Sequence, residues 1–212
     1  MTINKTKLVI GVTAIIAIAI VFYLLFIAVD GTVFFESDAA VYYYNIEVKG
    51  LHNYTSFGVT DIIVPIPMKN SEQVFSDEEL QYKSFGDWKS VLVVAKEGKM
   101  LAFQTTKTNL TNINASFKKY VNYSIDAENP LKNALLYPVS NETAVNYTTY
   151  VYIDPKIESK LSNNNSITLE ITLYIEGEAA RSERVYQYRV DVRENIPEGI
   201  KGPILVKAWI YS

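Results

Sequence analysis

The chain has 212 residues, of which 49% are hydrophobic and 20% are charged. This composition is typical of one folded domain, and it excludes a disordered tail or a membrane protein with many spans. The formal net charge of −3 argues against nucleic acid as a partner. Cysteine is absent and His52 is the single histidine, which excludes disulfides, thiolate metal sites and histidine-rich metal sites. We therefore expect no cofactor and no bound metal.

An uncharged apolar run, Leu8–Val29, lies near the N-terminus. A helix of these 22 residues is about 33 Å long, enough to cross the hydrocarbon core of a bilayer. Lys5 and Lys7 precede the run and Asp30 follows it, which favours a cytoplasmic N-terminus. A cleaved signal peptide would have an apolar core of about 7–15 residues and a small-x-small cleavage site, and neither feature is present. We predict a single-pass plasma-membrane protein with four parts: a cytoplasmic N-terminus (1–7), a signal-anchor helix that contacts the lipid bilayer (8–29), a membrane-proximal linker (30–40) and an extracellular domain (41–212).

The motif Asn-x-Ser/Thr, which accepts N-linked glycans, recurs along the chain beyond the apolar run. Composition alone predicts about two such sequons there. The sequence has seven: Asn53, Asn109, Asn114, Asn122, Asn141, Asn146 and Asn164. An eighth, Asn4, lies in the predicted cytoplasmic segment and is expected to be unoccupied. Dense sequons, 16 tyrosines and no cysteine are together typical of an archaeal cell-surface glycoprotein.

Alternation of apolar and polar residues predicts β-strands throughout the exported part. The clearest hairpin joins Ile167–Ile175 to Arg184–Arg193, and a second joins Val91–Ala95 to Met100–Phe103. About nine strands with polar loops predict an all-β domain, a β-sandwich of the immunoglobulin-like or jelly-roll-like kind. The segment Asp126–Asn146 is either a loop within one sandwich or a link between two smaller β units. The remaining predicted strands are Val41–Val48, Phe57–Pro65, Phe117–Ile125, Tyr147–Ile153 and Ile204–Tyr211.

Helical signals are short. Glu78–Tyr82 and Pro130–Leu136 are each long enough for one or two turns, and Asp154 followed by Pro155 predicts a cap and first turn for a helix over Pro155–Leu161. The C-terminal strand Ile204–Tyr211 is apolar on both faces. It is expected to be either a central strand, buried on both sides, or a strand that adds to the sheet edge of another subunit.

Catalytic patterns are missing from the sequence. There is no Gly-x-Ser-x-Gly elbow, and His52 lies in a predicted turn beside a sequon, where a solvated role is expected. The strand carboxylates Glu170 and Asp191 lie on polar faces, which does not suit the paired acids of a glycosidase. The acidic run Ser76–Glu79 is typical of a helix N-terminus rather than of a calcium loop. We therefore predict that the protein is not an enzyme.

Tyr42, Tyr43 and Tyr44 form the candidate binding surface, for a sugar or for a protein partner. Adjacent strand residues point to opposite faces of a sheet, so at least one of the three must point away from the core.

The apolar helix and the sequon-rich β-domain together are similar to archaeal pilins and archaellins. Those proteins carry a short basic leader that ends in a small residue just ahead of the helix, whereas here Lys7 is followed by Leu8, and Gly11 lies inside the apolar run. The main prediction is a membrane-anchored, N-glycosylated surface protein whose β-domain binds or packs against another surface protein or itself. The resemblance implies an alternative, a pilin-like filament subunit. A surface enzyme that acts on glycans is the second alternative.

Overall fold

The computed structural model describes residues 20, 21, 23, 40–143, 145–160, 165–178 and 184–211. Contacts divide the chain into two compact units, Met1–Asp38 and Ala39–Ser212. In the first unit Ile20, Val21 and Tyr23 are helical and exposed. The rest of the predicted span lies outside the described residues, as do Asn4 and Asn164. Among the described residues, no helix has the length and apolar character needed to cross a membrane.

The second unit is built from strands. Their bounds are β1 (Ala40–Lys49), β2 (Tyr54–Thr55), β3 (Thr60–Val64), β4 (Ile66–Lys69), β5 (Glu72–Gln73), β6 (Ser84–Phe85), β7 (Trp88–Ala95), β8 (Gly98–Thr105), β9 (Ile113–Val121), β10 (Leu135–Tyr137), β11 (Asn146–Ile153), β12 (Glu158–Ser159), β13 (Ser166–Glu178), β14 (Val185–Pro197) and β15 (Gly202–Tyr211). Ten of them form one sheet in the order β6-β7-β8-β3-β11-β15-β14-β13-β1-β9. The order in the two small sheets is β10-β4-β5 and β12-β2. The predicted all-β class is confirmed.

The long hairpin of β13 and β14 shows how the sequence pattern produces the sheet. The two strands pair antiparallel from Ser166 opposite Pro197 to Glu178 opposite Val185. Alternate apolar residues of β13, from Ile167 to Ile175, are buried, and the intervening threonines, glutamate and tyrosine are half-buried on the other face. A period of two therefore separates a core face from an outer face, as the sequence predicted.

The predicted sandwich of two separate sheets is not found. Strands β14 and β15 remain paired through Arg189–Val192 and Ala208–Tyr211, so a single sheet continues from one half of the domain to the other. The two ends of this sheet approach each other, with the Phe85 ring of β6 5.4 Å from the Phe117 ring of β9. Strong twist allows a long sheet to curl over its own apolar face, so one sheet encloses most of the core. Ile66 and Leu136 of the small β10-β4-β5 sheet also contribute to it.

The central-strand prediction for the C-terminal segment is confirmed, because β15 pairs with β11 on one side and with β14 on the other. Its two faces differ, however. Val206 and Ala208 are buried, whereas Leu205 and Trp209 are exposed on the opposite face. The expectation that neither face meets solvent was therefore wrong, because no part of the described domain covers Leu205 and Trp209.

Helical structure in the described domain is limited. Helix α1 (Asp77–Leu80) forms where the sequence predicted it, with Ser76 and Glu79 making a reciprocal capping box. Only a single 3₁₀ turn, Pro130–Lys132, forms at the second predicted helix. The third, Pro155–Leu161, is wrong over its described part: the Asp154 carboxylate accepts a hydrogen bond from Lys156 N, and this tight turn leads directly into β12.

Candidate binding surface

The candidate tyrosines of β1 divide between the two faces of the sheet. Tyr42 and Tyr44 are fully buried, at 0% exposure, so their proposed place on a binding surface was wrong. Tyr44 stacks near Phe117, with ring centroids 5.9 Å apart, and its hydroxyl donates to the Pro65 carbonyl oxygen. Tyr43 alone of the three lies on the outer face, where it is half-buried.

On the outer face, Tyr43 stands between side chains of both neighbouring strands. The register places it opposite Lys118 of β9 and Tyr174 of β13. The rings of Tyr43 and Tyr174 are 5.9 Å apart, and the Lys118 Nζ lies 5.2 Å from the Tyr43 centroid and 4.5 Å from the Tyr120 centroid. Cross-strand neighbours thus hold both the ammonium and the rings in place.

The same row continues over two more strands. Tyr174 is opposite Arg189 of β14, and Arg189 is opposite Tyr211 of β15. On the same strand, β15, Trp209 lies two residues before Tyr211, and the Lys207 Nζ is 4.2 Å from the Trp209 ring centroid. We call this set the outer stripe; its members are Tyr43, Lys118, Tyr120, Tyr174, Arg189, Lys207, Trp209 and Tyr211. At about 4.8 Å between strands, a row across five strands spans about 19 Å.

Polar contacts fix the stripe's central residues. The Arg189 Nε donates to the Asp191 carboxylate at 2.7 Å, and Thr172 Oγ1 donates to the same oxygen at 2.9 Å. The Tyr174 hydroxyl donates to Glu176 at 3.1 Å. Burial, reinforced by the Glu176 carboxylate, raises the pKa of Tyr174, so this hydroxyl stays protonated and acts as a donor. The outer stripe therefore offers aromatic faces and a guanidinium in a defined geometry.

Six of the seven predicted external sequons lie within the described residues, and none of the six is buried. Asn146 and Asn53 are half-buried. Among the described residues, none of these six asparagine side chains makes a hydrogen bond, so no such contact competes for their amides. The four exposed sites are Asn109, Asn114, Asn122 and Asn141.

Two acidic residues that the sequence placed in no site lie close together. Asp154 accepts a hydrogen bond from the backbone N–H of Asp61, and Asp61 accepts one from Gln104 at 3.0 Å. Burial raises the pKa of Asp61, and the nearby Asp154 adds to this effect against the opposing Gln104 contact. The backbone N–H of Lys156 also donates to the Asp154 carboxylate, so Asp154 stabilises the turn that follows β11. In the sequence, Asp154 directly before Pro155 indicated this turn, but we interpreted the two residues as the start of a helix.

Other candidate chemistry is sparse in the described residues. No group of three or more histidines and acids could hold a metal ion there. His52 is exposed in the 3₁₀ turn Leu51–Asn53. A cleft of about 450 Å³ is lined partly by Lys69, Glu72 and Tyr123, with the Lys69 Nζ 4.0 Å from the Tyr123 ring centroid. Lys119 also lines the cleft but is paired with Glu79 at 2.8 Å, so the remaining charges, Lys69 and Glu72, are one of each sign.

No protein-family model, curated protein or solved structure matches the chain. The features of the chain that bear on its function are therefore the outer stripe, the sequons and the N-terminal apolar run.

Proposed function

We propose that the chain is a single-pass, N-glycosylated surface protein, archaeal in character, whose β-domain binds a neighbouring surface protein or a second copy of itself. The apolar run Leu8–Val29 supplies the membrane anchor in this proposal, and Lys5 and Lys7 keep the N-terminus in the cytoplasm. The accessible sequons of the domain support an extracellular location for it. The outer stripe is the observation that carries the binding role.

The residue types of the outer stripe are those that protein interfaces favour. Tyrosine, tryptophan and arginine are enriched in interface centres, where they provide rigid area and directed hydrogen bonds. Tyr174 and Arg189 are already held by Glu176 and Asp191, so little side-chain freedom is lost when a partner covers them. This restraint favours recognition by the stripe over a role as ordinary solvated sheet surface.

The stripe suits a protein partner better than a small sugar. Its residues lie along one face of a continuous sheet, in strands β9, β1, β13, β14 and β15. Small-molecule sites are concave and enclose most of the ligand, whereas the outer side of a curled sheet, about 19 Å across these strands, has no walls to enclose one. The proposed partner is therefore a folded surface rather than a single saccharide.

Cross-linking in intact cells tests this proposal with the full-length protein. Tyr43→Ser combined with Tyr174→Ser removes the two rings at the centre of the stripe. We expect the cross-linked species to decrease about tenfold, which corresponds to loss of about 1.4 kcal/mol of binding free energy. Tyr82→Ser is the matched control, because Tyr82 is 78% exposed and lies outside the stripe.

The outcomes separate clearly. Unchanged cross-linking in the double variant, with the same surface amount of protein, would overturn the binding role of the stripe. Protease treatment of intact cells tests the topology independently: a C-terminal domain that survives while a known surface protein is digested would show that the orientation is wrong.

A further inference from the structure

The two tryptophans of the chain differ in burial. Trp88 is fully buried, and its indole Nε1 donates to the Thr111 carbonyl oxygen at 2.8 Å. Trp209, by contrast, is 43% exposed on the outer face of β15. The ring faces of an indole are apolar, so covering the exposed part of Trp209 would be favourable in free energy.

A sequon asparagine lies directly across from this indole. Asn146 of β11 is the register partner of Trp209 in the antiparallel pair with β15. Side chains of such partners share one face of the sheet, with Cβ atoms about 5 Å apart. The second cross-strand partner of Trp209 is Asp191 of β14, whose carboxylate already accepts from Arg189 and Thr172. Lys207 approaches the ring along β15 itself.

We propose that an N-glycan on Asn146 packs against the exposed indole of Trp209 and covers this end of the outer stripe, which leaves the central rings of Tyr43 and Tyr174 to the proposed partner. This inference rests on the proposed function, which places the domain where glycans are added. The C–H face of the first sugar ring is apolar and fits against an aromatic face, while its hydroxyls remain in water. The glycan on Asn146 would then pack against the fold and cover an apolar side chain, in addition to modifying the surface.

Local structure leaves Asn146 open to this role. Asn146 is half-buried, and its side chain makes no hydrogen bond to the described residues. The sequon threonine, Thr148, donates through Oγ1 to the Ser140 carbonyl oxygen at 2.7 Å, which fixes the strand segment that carries the asparagine. A sugar attached to Asn146 therefore starts from a defined backbone position beside Trp209.

Another sequon provides the contrast. Asn114 of β9 also lies on a strand, where it is exposed, but its register partner is Glu47 of β1, which is not aromatic. A glycan there has no ring to cover at the equivalent position. The proposal therefore distinguishes Asn146 from Asn114 although both have the same motif.

Tryptophan fluorescence quenched by acrylamide tests the contact in the native glycoprotein, because only Trp209 is exposed. We expect Asn146→Gln to raise the quenching constant about twofold, since removal of the sugar uncovers about half of the accessible ring. Asn114→Gln should leave it unchanged. Trp209→Phe should abolish the accessible component, which identifies the reporter, and intact mass should show that each glutamine variant has lost one glycan.

A second pair of variants removes the sugar without changing the asparagine. Thr148→Ala destroys the sequon and Thr148→Ser keeps it, so only the alanine variant should show increased quenching. If native Asn146 carries a glycan and its loss leaves quenching unchanged, the contact is wrong while the proposed function stands. Glycans found at other sequons but not at Asn146 would lead to the same conclusion. A native protein at its bare mass, with no glycan at any site, would instead contradict the proposed surface glycoprotein itself.

Discussion

The inner and outer faces of strand β1 carry the same residue type with opposite consequences. Tyr42 and Tyr44 are fully buried, whereas Tyr43, between them, faces outward beside Lys118 and Tyr174. Alternation alone places them on different faces, and the neighbouring strands then decide what each ring contacts. The inner rings therefore contribute to stability, while the outer ring is available for recognition.

The largest expected difference is between truncations on the two faces. Tyr44→Ala removes a ring packed against Phe75 and Phe117 and leaves a cavity, so the free energy of unfolding should fall by about 3–5 kcal/mol. Tyr43→Ala should cost about 1 kcal/mol or less, since that ring is half-buried at the surface. Chemical denaturation of the purified protein measures both. Equal losses would contradict the division into a stability face and a recognition face.

The backbone offers a second comparison at the point where β1 ends. Gly50 has φ +84°, and a Cβ added there would lie 2.5 Å from the Ser166 carbonyl oxygen. A left-handed alanine by itself lowers the free energy of unfolding by about 1–2 kcal/mol, and Gly50→Ala should lower it further because of this clash. Gly58→Ala is the matched control, because Gly58 has φ +77° with no atom within 4 Å of the added Cβ, and it should show the conformational cost alone. Thermal unfolding would contradict the clash if the two variants had equal midpoints.

The sequence predicted these faces better than it predicted their connections. Period-two runs located β1, β11, β13 and β15 to within a few residues, because alternation reflects burial directly. The pairing of β15 with both β11 and β14 depends on contacts between distant segments. For this reason, local pattern could not distinguish one curled sheet from two stacked sheets.

The same limit applied to the candidate site. Sequence reasoning identified a tyrosine that faces outward, but it could not select Tyr43 or foresee that Arg189 and Trp209 lie on the same outer face. Their proximity comes from register between β13, β14 and β15. Similarly, the sequon at Asn146 was visible, whereas its position across from Trp209 required the structure.

Buried hydroxyl groups refine the comparison within the inner face. The Tyr147 hydroxyl accepts a hydrogen bond from Leu136 N at 2.7 Å, while the buried hydroxyl of Tyr42 has no partner among the described residues. Tyr147→Phe should cost about 1–2 kcal/mol, because it leaves a buried N–H unsatisfied. Tyr42→Phe should be neutral or stabilising, since it removes an unpaired polar group. A loss of stability in Tyr42→Phe equal to that in Tyr147→Phe, measured by denaturation, would show that the Tyr42 hydroxyl is paired in solution, for example by water.

The smallest expected effects concern two carboxylates, Glu79 and Asp61. The effect of each on the free energy of unfolding should depend on pH, with opposite sign for the paired and the desolvated group. Burial tends to raise the pKa of Glu79, but hydrogen bonds from Lys119 and Ser76 outweigh it and lower the pKa below 4.5. The folded protein therefore binds this proton less readily than the unfolded chain, so the carboxylate stabilises the fold above pH 4.5, and the contribution disappears as pH falls through the lowered folded value. Glu79→Gln should reduce stability at pH 7 by about 0.5–1 kcal/mol and have no effect in strong acid.

Asp61 should show the opposite sign. Its pKa is raised from 3.8, chiefly by burial, so its charged form disfavours the fold as pH rises through the raised value. Asp61→Asn should therefore increase the thermal midpoint at pH 7, and the gain should vanish below pH 3.8, where the carboxyl is protonated in both states. The Gln104 contact can persist, since an asparagine oxygen also accepts. The thermal midpoints of both variants, compared with that of the unchanged protein from pH 7 to pH 2, test the two predictions. If both differences change in the same direction with pH, a partner cation rather than burial dominates the pKa of Asp61.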